Sequence, residues 1–463
     1  MSTRALPLGS SLLNKKIGWA ELSILATYAL VVLAGLAWTR SMGSVAFLCT
    51  LCVLAIALVS SSEICCRLLF VCFPFFNIMG SDLGGTSMFY VLILLFAAKS
   101  LIDGSVQSAG RRLALYGLII LATLYNYGAG LTYLKWLIHL LVPVLLIGTG
   151  RMRRNFPGYL KFLTISLILS SAVGQMMLDA GVYLYTFGSV RVDAEITTRF
   201  SGLVGDAVVY GQLVSVVIGA NAYLAFSGKG YRLIAPLCLI LVFFAFMTYS
   251  KGALVSLAIV GLFVLAAYVK RVVEGQVPVR YVVYALVAVA VAYFGAGILL
   301  SGVTSFSPDA LMKRLDSDDL LTARGQIWSA YFDLWGQVGA PMVFKGIGFD
   351  VYQGTTVYGR WHNCHNIYIE AVTLFGVLGA TAMGAALLGF LVKRVRSGAA
   401  AMSILPCVIL LASGMILHGF LDFPFFYVWT VALGCVDYSF CLAREPGRSS
   451  DSNISVGTEP KEG

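Results

Sequence analysis

Apolar windows of about 20 residues, each bounded by charge, Pro or Gly, recur along nearly the whole chain. Each is long enough to cross a hydrocarbon core about 30 Å thick as an α-helix. The sequence therefore predicts an all-α polytopic membrane protein. Of its 463 residues, 59% are hydrophobic and 12% charged, roughly half the charged fraction of a water-soluble domain. The first window, from about Ile17 to Trp38, is too long for a signal-peptide core and has no small-residue cleavage site, so it reads as a retained anchor.

Cytoplasmic loops are enriched in Lys and Arg, and this bias can be tested against strict alternation of sides. Windows fall near 17 to 38, 44 to 61, 65 to 78, 86 to 102, 113 to 128, 132 to 148 and 158 to 178, then near 207 to 227, 232 to 248, 251 to 269, 280 to 300, 366 to 393, 403 to 420 and 425 to 441. With Lys15 and Lys16 inside, alternation also places Arg111, Arg112, Arg151, Arg153, Arg154, Lys229, Arg232, Lys270, Arg271, Arg280, Lys393, Arg394 and Arg396 inside. Both termini are then cytoplasmic. The third window is short and broken by Pro74, and the one at 232 to 248 crowds its neighbour, so the expected count is an even number of about 12 to 14. The net charge of +10 is spread in these short clusters, a topology signal rather than a nucleic-acid footprint. Of the ten cysteines, nine lie in or beside apolar windows as small hydrophobes, and Cys364 is expected to be exposed.

Two segments stay outside the membrane on the far side, about 179 to 206 and about 301 to 365, and loops of such length carry structure or function. In the longer one, Ile327, Trp328, Tyr331, Phe332 and Trp335 recur at helical spacing and predict an amphipathic helix lying on the membrane surface. Thr322 is its expected N-cap, and Pro341 stops the pattern. Residues 1–445 read as a single integral-membrane domain and 446–463 as a polar, disordered cytoplasmic tail.

The outer loops carry cations that run against the charge bias: Arg191 and Arg199, then Arg324, Lys345, Arg360, His362 and His365, with Lys251 at an outer turn. Singly, each reads as a solvated or headgroup-contacting residue. Together, arginines from separate loops can neutralise a diphosphate through bidentate contacts. His365 opens the window that begins at Asn366, so a helix holds it at the outer surface. There an imidazole can take a proton from an attacking sugar hydroxyl, or simply bond to its own loop. The His362–His365 run lacks further ligands at metal spacing. His418 and Asp422 share a helix face as a structural pair, His139 reads as a core residue, and Glu370 either orients His365 or bonds a neighbouring helix.

Four stretches resemble the O-antigen ligase and polymerase superfamily of bacterial membrane glycosyltransferases. They are Arg199-Phe-Ser-Gly202-Leu-Val-Gly205-Asp206, Ser250-Lys251-Gly252-Ala253, Arg324-Gly-Gln-Ile-Trp328 with Pro341 and Gly346-Ile-Gly348, and His365-Asn366 with Gly376-Val-Leu-Gly379. They span the central part of the chain in the family's order. Lys251 stands where the family usually has Arg, and Asp206 where it often has Asn or Pro.

The resemblance implies a GT-C-like fold, no cofactor and no metal, and an active site on the periplasmic side of the bacterial inner membrane. The donor would be an undecaprenyl-diphosphate-linked glycan and the acceptor another glycan, lipid A core or a protein. Arg199 and Arg324 would clamp the diphosphate, and His365 would be the base. Arg191, Lys251, Asn366 and His362 would bind substrate. A polymerase of O-antigen or exopolysaccharide repeats is the favoured expectation and a ligase the alternative. A flippase for lipid-linked sugars is a reading of another class, although transporters keep their charges nearer the bilayer midplane. Nucleic acid is not an expected partner.

Overall fold

A computed structural model describes residues 18–79, 87–103, 131–182, 189–192, 195–227, 234–275, 312, 324–348, 355–357, 360–362, 364–415 and 423–444. Of the expected windows, those near 113 to 128 and 280 to 300 lie outside these residues, as do Thr322, His418, Asp422 and the tail. Every other window is helical over most of its described residues. The helices are α1 (Trp19–Thr39), α2 (Gly43–Val59), α3 (Ser62–Cys72), α4 (Phe89–Ile102), α5 (Leu131–Gly148), α6 (Arg151–Asp179), α7 (Ala207–Phe226), α8 (Ile234–Phe246) and α9 (Lys251–Val273). They continue with α10 (Arg324–Val338), α11 (Pro341–Phe344), α12 (Ile367–Arg396), α13 (Leu405–Gly414) and α14 (Phe423–Arg444). Among the described residues, six helices are long and apolar enough to cross a membrane, and five shorter apolar helices accompany them. The chain is an all-α, multi-pass membrane protein.

The hydrophobic core gathers around α6, α7 and α14, and α7 is buried along nearly its whole length. By contrast α9 and the far half of α12 turn many large apolar side chains outward, among them Val255, Leu262, Leu265, Val377 and Leu388. That is the surface a lipid-facing helix requires.

The short third window has a physical explanation. Pro74 follows α3 and tightens the chain into a 3₁₀ segment, Phe73–Ile78. Eleven α-helical and six 3₁₀ residues rise about 16 Å and about 12 Å, together close to one hydrocarbon thickness. The residues from Cys65 to Phe75 that could meet lipid are nearly all fully buried, so the irregular backbone is shielded by protein.

Polar contacts test the alternation independently of charge counting. Glu63, in the first turn of α3, meets Arg151, the first residue of α6, at 3.0 Å, and Arg151 meets Asp103, just after α4, at 3.1 Å. Asp437, near the end of α14 and fully buried, takes Arg153 at 3.1 Å and Arg394 at 2.5 Å. Lys99 donates to the carbonyls of Leu58 and Ser60 at 2.9 and 2.8 Å, and Arg271 donates to that of Phe226. Each of these contacts joins segments that alternation puts on the basic face. On the other face, Trp38 donates to Ile78, Asn77 to Leu203 and Arg199 to Thr248.

Both outer segments contain short antiparallel hairpins: β1 (Ser189–Val192) with β2 (Glu195–Thr198), and β3 (Thr355–Val357) with β4 (Arg360–His362). Arg191 is placed opposite Ile196, and His362 opposite Thr355.

Candidate functional site

Arg199 lies just after β2 and is pinned by its Nε, which donates to the carbonyl of Thr248 at 2.9 Å. The adjoining Phe200 amide donates to Met247 at 3.1 Å. The segment from Arg199 to Asp206 is thereby laid against the turn before α9, where Lys251 is the first helical residue. Two glycines let the segment bend. Gly202 and Gly205 sit at φ +56° and +93°, a region L residues avoid. A Cβ on Gly202 would also strike the Tyr210 ring at 2.8 Å. Asp206 then caps α7, its Oδ1 accepting from the amides of Val208 and Val209 at 2.7 and 2.9 Å. Asp and Asn cap equally well, which gives this departure from the family pattern a structural reason.

The second group forms around α12. His365 has φ +47°, and Asn366 follows in extended conformation as N-cap, its Oδ1 accepting from Tyr368 and Ile369 at 2.9 and 3.2 Å. Tyr249, Ser250 and Lys251 repeat this arrangement: a non-glycine residue at φ +47°, then a capping Ser250 that accepts from Ala253 at 3.3 Å. Non-glycine residues in the left-handed region are uncommon, and such strain concentrates at functional sites. Asn366, expected to touch substrate, is 6% exposed with its oxygen committed to the cap.

The helix that begins with Arg324 is held against the start of α12 by aromatic contacts. Ile327 and Tyr331 of α10 are buried in a cluster with Cys364, Ile367, Ile369, Leu374 and Phe375. Trp328 donates its indole N–H to the Cys364 carbonyl at 2.8 Å, and Trp335 donates to Thr373 Oγ1 at 3.0 Å. Arg324 is the first residue of α10, four residues and about 6 Å along the axis before Trp328.

Two expectations are corrected here. The aromatic face of α10 packs mainly on protein rather than on the membrane surface, with only Phe332 of the five residues exposed. Cys364 is buried rather than exposed, and its thiol donates to the Asn366 carbonyl at 3.2 Å.

A glycine clasp fixes the loop below this point. α12 breaks at Gly376, whose φ is +74° and ψ 170°. Into the break fits Gly346, at φ +69°, where a Cβ would lie 2.5 Å from the Thr373 carbonyl and 2.6 Å from the Gly376 amide. The Ile347 amide donates to that same Thr373 carbonyl at 2.7 Å. The window expected as one continuous helix is thus two, and the loop fills the joint. Sequence reasoning found both glycine motifs as matching patterns but not their mutual contact. A buried indole N–H needs a partner, and that was the one available signal that Trp328 and Trp335 dock rather than float.

The two groups connect through α13. Ile367 packs on Gly414, where a Cβ would come within 2.4 Å of it, and the neighbouring Ser413 accepts from Gln212 of α7 at 2.6 Å. Gly211 of α7 in turn packs on Ala253 of α9, where a Cβ would sit 2.4 Å away. Arg199, Lys251, Arg324 and His365 are all half-buried at this one end of the bundle. The N-termini of α9 and α12 point here with neutral caps, Ser250 and Asn366. Their helix dipoles therefore add positive potential. Cations at helix N-termini, as Lys251 and Arg324 are, cost a few tenths to about 1 kcal/mol against the dipole, a local conflict that marks a site more readily than a scaffold. Of Arg191, Arg360 and His362 the structure describes the backbone alone.

The described residues form a multi-pass, mainly helical membrane protein that carries Arg199, Lys251, Arg324 and His365 at the end opposite its basic loops. A family model described as O-antigen ligase (Wzy_C) matches residues 236–384, the stretch holding Lys251, Arg324, His365 and the glycine clasp. That stretch is therefore similar to the O-antigen ligase family, in keeping with the resemblance carried by the four sequence motifs. No curated protein matches the chain.

Proposed function

We propose that the protein is a membrane glycosyltransferase that uses a polyprenyl-diphosphate-linked glycan, of the undecaprenyl type, as donor at the extracytoplasmic face of the bacterial inner membrane. The observation that supports this reading is the Trp328 to Cys364 hydrogen bond, which ties α10, the helix that begins with Arg324, to the residue just before His365. His365 takes the proton of an acceptor hydroxyl. The freed oxygen bonds to the anomeric carbon, and the bond from that carbon to the diphosphate breaks. The departing charge goes to the polyprenyl diphosphate, where Arg324, Arg199 and the two helix N-termini stabilise it. No metal or cofactor is needed in this scheme. Lys251 and Arg191 assist in holding the anion, His362 contacts the glycan, and Asn366 serves by holding the His365 turn in place.

The test is reconstitution of purified protein in vesicles with lipid-linked glycan and no ion gradient. Glycosidic bond formation is expected. Movement of the lipid-linked sugar across the bilayer without bond formation would replace the transferase with a flippase. A ladder of products identifies a polymerase, and single transfer to lipid A core or protein a ligase. His365→Ala and Arg324→Ala are each expected to abolish transfer with expression intact, and wild-type rates in both would overturn the assigned roles. Arg324→Lys is also expected to fail, because an ammonium cannot form the bidentate contact.

A further inference from the structure

At the end of the bundle opposite the candidate site, a cleft of about 540 Å³ opens between the C-terminal ends of α7, α9 and α14 and the segment before α13. Its walls are mostly apolar, with Phe226 and Met402 among them, while Lys270, Arg271, Tyr223 and Ser439 supply polar groups. Arg271 is held in place: its guanidinium donates to the Phe226 carbonyl and lies 5.1 Å from the centre of the Phe226 ring. Lys270 is exposed and pairs with Glu274 at 3.8 Å, so the three charged groups leave a net positive rim.

We propose that this cleft binds one anionic glycerophospholipid of the cytoplasmic leaflet. Three features point to that occupant. The cleft lies at the face that the Lys and Arg bias assigns to the cytoplasm, where basic pockets between membrane helices take anionic headgroups. Its volume is in the range of small-molecule sites, roughly 300–1,000 Å³, and exceeds what one phosphate fills. α9, which forms one wall, turns Leu262, Leu265, Val269 and Val273 outward on its other side, so the cleft lies next to a lipid-facing helix, within reach of the bilayer. A phosphodiester would meet Lys270 and Arg271, the glycerol region would meet the hydroxyls, and the chains would follow α9 into the bilayer.

Native mass spectrometry of the full-length protein in detergent, with phosphatidylglycerol or phosphatidylcholine added, tests this directly. One phosphatidylglycerol is expected to survive activation that strips phosphatidylcholine. Lys270→Ala with Arg271→Ala is expected to lower its retention about tenfold. Ala267→Phe, which keeps every charge and fills the cleft, is expected to do the same, so a folding defect in the double variant leaves the proposal testable. Lys393→Ala with Arg396→Ala, exposed on the same face but outside the cleft, is expected to change nothing. The proposal is overturned if both cleft variants retain lipid like the wild type, if the outside pair loses it equally, or if phosphatidylcholine is held as well. Displacement by an equal concentration of soluble glycerol phosphate would reduce the cleft to a site for free phosphate and also overturn it.

Discussion

Gly346→Ala is the most informative single substitution, because the structure forbids a side chain there on two separate grounds. The backbone at φ +69° costs an L residue roughly 1–2 kcal/mol. The added Cβ would also sit 2.5 Å from the Thr373 oxygen, forcing the loop away and breaking the Ile347 to Thr373 hydrogen bond, worth about 1 kcal/mol. Together the loss is about 2–3 kcal/mol, or roughly a 30- to 150-fold shift toward the undocked loop. Hydrogen exchange at the Ile347 amide reads that equilibrium, and its rate is expected to rise by the same factor. Transfer activity is expected to fall alongside, since α10, with Arg324 and Trp328, belongs to the same docked segment. Gly336→Ala, on the exposed face of α10 with nothing within 4 Å of a new Cβ, is the matched control and is expected to be neutral or slightly stabilising. Unchanged exchange in Gly346→Ala, or equal effects in the two variants, would refute the clasp.

Asn366→Ala removes the α12 cap at a cost of about 1 kcal/mol; transfer is expected to fall without vanishing, with Asn366→Asp restoring it. Trp328→Phe deletes the donor to the Cys364 carbonyl and is expected to weaken α10 docking by about 1 kcal/mol, seen as a lower turnover with intact expression. Asp437→Ala leaves Arg153 and Arg394 without their shared carboxylate and is expected to destabilise by about 3–5 kcal/mol, read as a lower melting temperature in detergent, while transfer persists under permissive conditions.

Hydropathy made the helices legible because lipid permits little else, and the basic clusters made the alternation legible because each loop carries its own signal. Tertiary partners were another matter. The periodicity of Ile327, Trp328, Tyr331 and Trp335 specifies an apolar face, but a membrane surface and the flank of α12 are equally apolar covers for it. Cys364 looked exposed because its neighbours in sequence are polar, whereas the aromatic side chains of α10 bury it from 30 and more residues away. The Gly346 and Gly376 motifs were visible as patterns. Their purpose depends on two backbones meeting, and no local preference encodes that. Asp206 and Asn366 were more accessible: an acidic or amide residue immediately before an apolar helix is a capping signal, and each was weighed as a contact for substrate or as a departure from a family pattern instead.

The arginines that orient the chain have a second consequence through Asp437. Arg153, Arg394 and that carboxylate arrive from three helices far apart in sequence, yet meet at one level of the bilayer. Were a single hydrophobic segment between them skipped during insertion, the partners would be stranded on opposite sides of the lipid, leaving an ionised group in hydrocarbon with nothing to neutralise it. The ionic knot thus works as a parity check on biogenesis: a chain that has skipped one span between these residues cannot close it.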